Sequence, residues 1–555
     1  MPINPSDKRA TGGSRHAFST PDSNGALGRR LRSVEVLGEQ RGTILVIMAL
    51  IVVVLLGVVG FAVDLGWAYW NGLEIQHGAD AAALAGVIYE PGQRTEAHTE
   101  ALAAAFSNGY DNGLPGTTIT VLDFEDDPTA VENDSQLRAT VSHEIDTFFI
   151  KIFGIDTLTV ARTAVAEYIA PLPMGSPDPY FGNDPALGRW PNFWGNIHGY
   201  YTAKAYGDRY SSQCIGWNLQ QGCTNNPERR QSLNPGSQNA EGGYVYGVEV
   251  DAASIGSILT VELFDPQYSI QGGGDELTGD QTVNGQTKEQ TLTFMLYDPD
   301  STPLTTNDGG NTLLCSVSYD ARDPYADFDG NGYISNGDDL DGDGDIDFDD
   351  VEIGYPGGVA ALWEPFCTVA IVEAGIYPLR IMVNDPGTSD DMALNRWSIR
   401  AFTSGGPDPR VYGLGTMSIY ANVDGTAGPT TFHLAEVLEI HAGKNLIIEM
   451  FDPGDAAGNH SVEIQDPSGT APPCEWVAVE DETGATTSGS ETSCIIATTG
   501  GAFNNWLVTI KISLPTDYVC AADCWWKVVY NYPGITRDST TWSARIEGRP
   551  VHLTE

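Results

Sequence analysis

The chain of 555 residues carries a formal net charge of −46, and glycine (63), proline (32) and aromatic residues (10%) are frequent. A surface of this acidity repels nucleic acid, and because no basic patch reverses it, we expect no nucleic-acid partner. The length suffices for several domains, and the composition favours β-sandwiches joined by turns over helical bundles.

The N-terminal stretch, residues 1–42, is rich in Ser, Gly, Pro and Arg and lacks an apolar period. A stretch of this composition buries too little apolar surface to fold alone, so we expect a disordered, basic cytoplasmic tail. Its arginines either contact anionic lipid or serve only as a topology signal.

The next element is an apolar run, Thr43–Val63, whose 21 residues would span about 31 Å as a helix and so match a bilayer core of about 30 Å. We predict a transmembrane helix over residues 43–66. A cleaved signal peptide is the alternative, but its apolar region is usually only about 7–15 residues long.

Arginines precede the apolar run and none follows before Arg94. The positive-inside rule therefore predicts a single-pass membrane protein with a cytoplasmic N-terminus and its bulk at the cell surface. The aromatic residues of an interfacial belt would be Trp67, Tyr69 and Trp70.

A family resemblance begins in the same segment. Residues 41–86 read RGTILVIMALIVVVLLGVVGFAVDLGWAYWNGLEIQHGADAAALAG. With the strand-rich stretch 137–167, they resemble the TadE/TadG-like N-terminal segment of tight-adherence (Tad, or Flp) pilus assembly proteins over about residues 41–170. The resemblance implies a small α+β membrane-proximal region, at 67–172 here, and a structural or adhesive role at the cell surface. It also implies the Tad pilus machinery or other surface proteins as partners.

Many TadG-like proteins also carry a von Willebrand A-type domain with a D-x-S-x-S metal site. The nearest string here is Asp466–Thr470, in a Pro/Gly-rich stretch between apparent strands. The βαβ alternation of that domain is missing, so we interpret the string as a turn.

Small residues recur along one face of the predicted helix. Gly78, Ala82 and Gly86 stand four residues apart, as do Ala79 and Ala83. Such faces allow close helix approach. The sequence leaves two interpretations open: a surface for assembly with partners, or packing against later strands of the same chain.

A weak internal duplication follows. The repeated stretches alternate apolar and polar residues, which is the period of half-buried strands. We therefore predict a mainly β fold with two related, jelly-roll-like β-sandwiches. The matching stretches are 193–211 with 411–428, 259–266 with 446–453, and 395–402 with 540–548. The predicted segments are a linker at 173–189 and sandwiches at 190–405 and 410–555.

The segment 327–350, DFDGNGYISNGDDLDGDGDIDFDD, holds ten Asp and no basic residue. Two twelve-residue frames fit end to end, each with oxygen ligands at positions 1, 3 and 5, glycine at 6 and Asp at 12, as in Ca²⁺ loops. The frames leave no room for EF-hand helices. They resemble thrombospondin type 3 or dockerin-like calcium loops, placed as an insertion (323–355) in the first sandwich. We predict two Ca²⁺ ions; an acidic linker is the alternative. The predicted ligands are Asp327, Asp329, Asn331, Tyr333 and Asp338, then Asp339, Asp341, Asp343, Asp345 and Asp350, with Tyr333 and Asp345 binding through their carbonyls.

All eight cysteines lie beyond residue 200, and an even number in an extracytoplasmic region predicts disulfides, with buried free thiols as the alternative. Cys315 and Cys474 both follow the FDP strand of their repeats, and Cys367 and Cys494 both precede closing strands. Equivalent positions predict equivalent pairs. The spacing at 520–524 also suits a metal, but no further Cys or His lies nearby in sequence. The predicted pairs are Cys315–Cys367, Cys474–Cys494, Cys214–Cys223 and Cys520–Cys524.

No G-x-S-x-G, H-E-x-x-H or G-x-x-x-x-G-K-[ST] motif occurs, so we expect no enzyme. The favoured function is that of a membrane-anchored, extracytoplasmic protein of the Tad/Flp pilus-associated type. The alternatives are a calcium-dependent carbohydrate- or protein-binding surface module without a pilus role, and an unrecognised hydrolase. Trp525 and Trp526 would stack on glycans if they were exposed.

Overall fold

The computed structural model describes residues 40–90, 93–199, 202–211, 226, 243–266, 280–282, 291–299, 311–319, 363–383, 393–423, 429–453, 460–499, 502–520, 523–531 and 536–554. The chain divides into two units. The first unit holds the described residues 40–69 and 146–158, and the second holds the described residues of 70–145 and 159–555. The predicted tail up to residue 39 and the predicted calcium insertion 323–355 lie outside the described residues.

The first element, α1 (Gln40–Val87), is a helix of 48 residues. No proline interrupts it, so nothing removes a backbone donor from its interior. Between Ile44 and Val63 every residue except Gly60 is exposed, which suits a helix surrounded by lipid. Among the described residues it is the one helix long and apolar enough to cross a membrane. It continues past the predicted end at residue 66.

A small α+β module, here called the membrane-proximal module, packs on the C-terminal part of α1. Its antiparallel sheet has the strand order β1-β2-β3-β26. The apolar core joins Ile75 and Val87 of the helix to Leu137 and Val141 of the sheet. This is the α+β region expected from the resemblance. Its elements are α2 (Arg94–Ser107), β1 (Thr117–Leu122), β2 (Gln136–Asp146), β3 (Thr157–Tyr168) and β26 (Val551–Leu553).

The small-residue face of α1 lies inside this module. Ala79, Ala82 and Ala83 are fully buried. A Cβ on Gly78 would lie 2.6 Å from the ring of Tyr110, and one on Gly86 would lie 2.4 Å from a methyl carbon of a leucine on β2. Of the two interpretations that the sequence leaves open, the structure has packing against the chain's own later segments.

The rest of the described chain forms two stacked antiparallel sheets, so the mainly β, sandwich-type fold class is confirmed. Both sheets draw strands from both repeats. In the described chain, one sheet has ten strands in the order β11-β10-β13-β7-β15-β4-β17-β24-β19-β22, and the other has twelve, with the path β12-β8-β14-β6-β16-β25-β18-β23-β20-β21 and with β5 and β9 paired to β14. The strands are β4 (Pro173–Met174), β5 (Tyr180–Phe181), β6 (Trp194–His198), β7 (Tyr244–Val250), β8 (Ile258–Phe264), β9 (Gln281–Thr282), β10 (Leu292–Tyr297), β11 (Leu313–Tyr319), β12 (Trp363–Ala370), β13 (Gly375–Val383), β14 (Ala393–Thr403), β15 (Arg410–Leu414), β16 (Thr416–Val423), β17 (Thr430–Glu436), β18 (Asn445–Phe451), β19 (Ser461–Gln465), β20 (Cys474–Glu480), β21 (Thr486–Glu491), β22 (Ile495–Ala497), β23 (Trp506–Ser513), β24 (Trp525–Asn531) and β25 (Thr536–Ile546).

The two repeats meet through equivalent strands. β6 and β16, which carry the matching stretches of the duplication, pair antiparallel, with Gly195 opposite Ile419 and Trp194 opposite Tyr420. Outward from that pair, β14 and β8 on one side correspond to β25 and β18 on the other. Antiparallel pairing of equivalent elements is what a local two-fold axis produces, so the repeats resemble the subunits of a dimer joined in one chain. We call the whole the double sandwich.

Two segments differ from the predicted domain bounds. Residues 173–189, predicted as a linker, instead supply β4, which lies between β15 and β17, and β5, which pairs with β14. Met174 and Phe181 of these strands are fully buried. Likewise, the last residues of the predicted second sandwich leave it, because β26 joins the membrane-proximal sheet. In both cases two or three apolar residues suffice for a strand once a neighbouring edge is available.

Candidate functional site

The described strands on either side of the predicted calcium segment, β11 and β12, lie at one edge of the double sandwich. Its ten predicted ligands, from Asp327 to Asp350, lie outside the described residues. The described chain ends before it at Tyr319, the last residue of β11, and resumes at Trp363, the first residue of β12. These are the end strands of the two sheets on the side of the first repeat. The described chain thus ends and resumes at the same outer edge, on the end strands of the two sheets.

Disulfides join the sheets at both outer edges. Cys315 of β11 and Cys367 of β12 are bonded, with 5.8 Å between their Cα atoms. At the other end, Cys474 of β20 is bonded to Cys494, which directly precedes β22, with 5.3 Å between Cα atoms. Both are pairs that the duplication predicts. Each bond links the two layers at or next to an outer edge, and it stabilises the fold by restricting the unfolded chain.

The remaining cysteine predictions have different outcomes. Cys520 and Cys524 are bonded to each other across a short turn, so their sulfurs are not available as metal ligands. Cys214 and Cys223 lie outside the described residues. The D-x-S-x-S-like string is a turn: one carboxylate oxygen of Asp466 accepts hydrogen bonds from the backbone N–H groups of Ser468 and Thr470, both at 2.9 Å.

At the end of the apolar run, Asp64 holds a loop of its own chain. This side chain, 2% exposed, accepts backbone N–H bonds from Phe148 at 2.8 Å, Phe149 at 2.8 Å and Ile150 at 2.7 Å. A short 3-10 helix, Ile150–Phe153, starts at that point. The first N–H groups of a helix lack internal acceptors, so the carboxylate supplies what the turn itself cannot. The sequence gives no sign of this role, because the partners of Asp64 are backbone groups more than eighty residues away along the chain.

A charged cluster joins α2 to the loop after β1. His98 Nε2 lies 3.0 Å from a carboxylate oxygen of Asp123 and 3.4 Å from one of Asp126. Within the described chain this is the one group with the geometry to hold a metal. The guanidinium of Arg94, however, donates hydrogen bonds to both carboxylates. Because a cation already neutralises the two acids, the cluster fits a structural ion-pair network better than a metal site.

The same network sets unusual protonation states nearby. Burial opposes ionisation of Asp123, but hydrogen bonds from Arg94 and His98 hold its pKa below the ordinary value. Glu90, at the end of the turn that follows α1, is 5% exposed. Burial, reinforced by the negative charge of Asp123, raises its pKa to about 7. Glu90 is therefore largely protonated in mildly acidic solution.

An acidic cleft of about 420 Å³ lies between α2 and the double sandwich. Four carboxylates face it, and its described lining contains no histidine, serine, cysteine or lysine. The lining residues are Tyr89, Gln93, Glu96, Thr99, Glu100, Asp298, Pro299 and Glu373.

The tryptophans considered for sugar stacking belong to the core. Trp525 and Trp526 are each 2% exposed, and Trp526 donates a hydrogen bond to the hydroxyl of Tyr518 at 3.0 Å. A glycan has no access to their faces. The aromatic residues near the end of the apolar run, in contrast, are exposed, with Tyr69 at 67% and Trp70 at 51%.

Comparison with known proteins identifies the N-terminal segment. Residues 42–94 match the family model described as "Putative Flp pilus-assembly TadE/G-like", which confirms the resemblance predicted from residues 41–86. The match covers α1 and the start of α2 and stops before the double sandwich. With its single apolar helix, this segment makes the chain a membrane-anchored protein.

The family match stops at residue 94. No curated protein matches the chain. A solved structure titled as a "putative secreted protein from Parabacteroides distasonis" has 10% identity over 69% of this chain and 100% of its own, with a TM-score of 0.11. The structure of infectious bursal disease virus, Gx strain, has 14% identity over 56% of this chain and 76% of its own, with a TM-score of 0.08. Likeness at this level carries no argument about fold or function.

Proposed function

We propose that this protein is an extracytoplasmic, non-enzymatic component of a Tad (Flp) pilus system, with a structural or adhesive role at the cell surface. The observation that carries the proposal is the TadE/G-like match over residues 42–94. That match covers the apolar part of α1, which is the membrane anchor. It also covers the C-terminal part of α1, which packs on the sheet of the membrane-proximal module.

The connection between the membrane-proximal module and the double sandwich supports a structural role. β26, at the C-terminal end of the chain, pairs with β3 of the membrane-proximal sheet. Lys444, in the loop before β18, lies 2.5 Å from a carboxylate oxygen of Glu167 on β3. The module is therefore tied to the double sandwich by two stretches of chain, before β4 and before β26, and by an ion pair whose acid is 4% exposed. Such multiple connections suit a structural role.

The distribution of charge supports the proposed orientation. Arginines are concentrated before the apolar run, and the remaining chain is strongly acidic. The positive-inside rule favours a cytoplasmic N-terminus, with the double sandwich outside. Disulfides at both edges of the sandwich agree with an oxidising compartment.

A second candidate function is calcium-dependent binding of a protein or glycan. It is favoured by the acidic segment 327–350 and by its position at a disulfide-joined edge of the double sandwich. Two bound Ca²⁺ ions would neutralise part of its charge and turn it into a compact projection. The buried state of Trp525 and Trp526 removes one candidate sugar surface, so a protein ligand is favoured over a glycan.

Purification of the tagged full chain from detergent-solubilised membranes tests the first proposal. We expect Tad machinery proteins to co-purify. A matched variant replaces residues 43–59 with an unrelated apolar helix and retains Gly60 and Asp64. It should stay in the membrane and lose these partners if the anchor recruits them. Capture of other surface proteins or of a glycan, abolished by a calcium chelator, would instead favour the second function.

A further inference from the structure

The loop between β2 and β3, residues 147–156, exposes an apolar surface of unusual size for its length. Single exposed apolar side chains are ordinary, but a contiguous group marks a surface that contacts something other than water. Ile152 and Phe153 form its tip and are almost fully exposed. The exposed fractions are 55% for Phe148, 45% for Phe149, 82% for Ile152, 80% for Phe153 and 46% for Ile155.

The loop is held at a defined position on α1. Asp64 accepts hydrogen bonds from three successive backbone N–H groups of the loop, at 2.7–2.8 Å. In addition, the ring of Trp67 contacts that of Phe148 edge to face, with 5.7 Å between centroids. A carboxylate with three donors in a buried site fixes the backbone that it binds. The base of the loop is thus attached where the apolar run ends.

From that base the loop turns back along the apolar run. A Cβ on Gly60 would lie 2.8 Å from the Cβ and Cγ of Phe149, so the phenylalanine lies directly on the helix backbone at that glycine. Gly60 precedes Asp64 by four residues, about 6 Å along the helix. It is also the one buried residue between Ile44 and Val63. The loop therefore reaches at least one turn into the part of the helix whose other side chains face lipid.

Few charges oppose transfer of this loop into a membrane. The charged side chains between Phe148 and Asp156 are Lys151 and Asp156 themselves, whose nitrogen and oxygen lie 3.8 Å apart. Lysine can extend its stem through an apolar layer while its ammonium stays at the interface. The pair is close enough to be partly neutralised without leaving that interface.

We propose that the loop 147–156 inserts its apolar tip into the leaflet that holds the Asp64 end of the apolar run, as a second membrane contact beside the transmembrane helix. The occupant of the apolar surface is lipid, because the surface is continuous with the lipid-facing surface of the helix at Gly60. Two contacts with one bilayer, one spanning and one inserted, restrict the tilt of the protein. Asp64 is the positioning residue. The inference rests on membrane crossing by α1 and does not require a pilus partner.

The test uses the full chain reconstituted in vesicles of phosphatidylcholine and phosphatidylglycerol. p-Azidophenylalanine replaces Phe153, which is 80% exposed, and is labelled with a polarity-sensitive fluorophore. Lipids carrying a nitroxide on the acyl chain should quench this label at least threefold more strongly than the same label at Val372, which is 79% exposed on the double sandwich. Aqueous iodide should show the reverse order.

Two further measurements distinguish insertion into lipid from exposure to water and from self-association. Ile152→Ser in the labelled chain should weaken lipid quenching without removing the protein from the vesicles, which also separates this inference from the anchor itself. p-Benzoylphenylalanine at position 153 should form adducts with lipid on irradiation. A label at 153 that iodide quenches as fully as the one at 372, or a cross-link to a second copy in place of lipid, would overturn the proposal.

Discussion

Val551 of β26 pairs with Tyr168 at the end of β3, so residues from the far end of the chain complete the sheet that packs on the anchor helix. The backbone bonds continue on either side of this pair: Thr554 donates to Val165 at 2.8 Å, and Ile169 donates to Pro550 at 2.7 Å. Without β26, the donors and acceptors along β3 would form an open edge.

Removal of residues 550–555 should therefore loosen the membrane-proximal module. The loss of several backbone hydrogen bonds, at about 1 kcal/mol each, should lower its free energy of unfolding by about 2–4 kcal/mol. Hydrogen exchange of β3 in the full chain measures this. The control is His552→Ala, which retains the backbone pairing and loses only the contact of His552 with Glu167 at 3.4 Å. Equal hydrogen exchange of β3 in the truncated and intact chains would show that β26 does not stabilise the membrane-proximal sheet.

The glycines of α1 provide a matched pair of substitutions. Gly86→Ala would place a Cβ 2.6 Å from the backbone oxygen of Ala97, which has little room to move. Gly66→Ala meets nothing within 4 Å. Alanine favours a helix over glycine by about 1 kcal/mol, so Gly66→Ala should be neutral or stabilising, while Gly86→Ala should cost about 1–3 kcal/mol through overpacking. Thermal unfolding of the two variants decides it, and similar midpoints would contradict the close packing of α1 on α2.

Glu90 predicts a pH effect on stability. Its pKa is raised from 4.5 to about 7, so between these pH values the folded chain keeps a proton that the unfolded chain has released. The unfolded state binds fewer protons there, and the free energy of unfolding should fall as pH rises from about 4.5 to 7, by up to about 3 kcal/mol. Glu90→Gln mimics the protonated acid and should flatten this part of the profile. Glu96→Gln, an exposed change on α2, is the control and should retain the slope.

Those parts of the architecture that continuous stretches of sequence encode can be predicted from the sequence. The apolar run and the motif around ADAAALAG are continuous stretches, so they predict the anchor and its family directly. The duplication predicts the Cys315–Cys367 and Cys474–Cys494 pairs because equivalent positions have equivalent neighbours. The sequence does not predict that both sheets continue from one repeat into the other. Alternation of apolar and polar residues indicates which face of a strand is buried, but it does not indicate which edge strand of one repeat pairs with the other repeat.

The contacts of single residues are harder to predict from the sequence than the order of the strands. Asp64 binds backbone N–H groups, which every residue except proline has, so no sequence pattern at Phe148–Ile150 predicts the contact. The strand Val551–Leu553 is too short to show the apolar–polar alternation that predicts a strand. The segment 173–189 reads as a linker because of its proline and glycine content, although Met174 and Phe181 are core residues.

For the segment 327–350 we expect two bound Ca²⁺ ions. Because both sheets pass through both repeats, the full chain in detergent is the proper sample rather than the first repeat alone. Calcium at a hundredfold excess over its dissociation constant should stabilise the chain by about 2.7 kcal/mol. Replacing Asp327 and Asp339 together with Ala removes position 1 from both frames and should abolish the heat of binding in calorimetry. If the unsubstituted chain takes up no calcium at about millimolar concentration, the range of extracellular calcium modules, the segment is only an acidic linker.

The pilus role itself is tested most directly by counting Flp pili on cells that lack this protein. Electron microscopy of the deletion strain should show a loss of pili or of pilus-dependent attachment. The full chain should restore them, and a chain whose residues 43–59 are replaced by an unrelated membrane helix should do so poorly. Normal numbers of pili and normal attachment in the deletion strain would contradict the proposal and leave a membrane-anchored protein with a TadE/G-like segment.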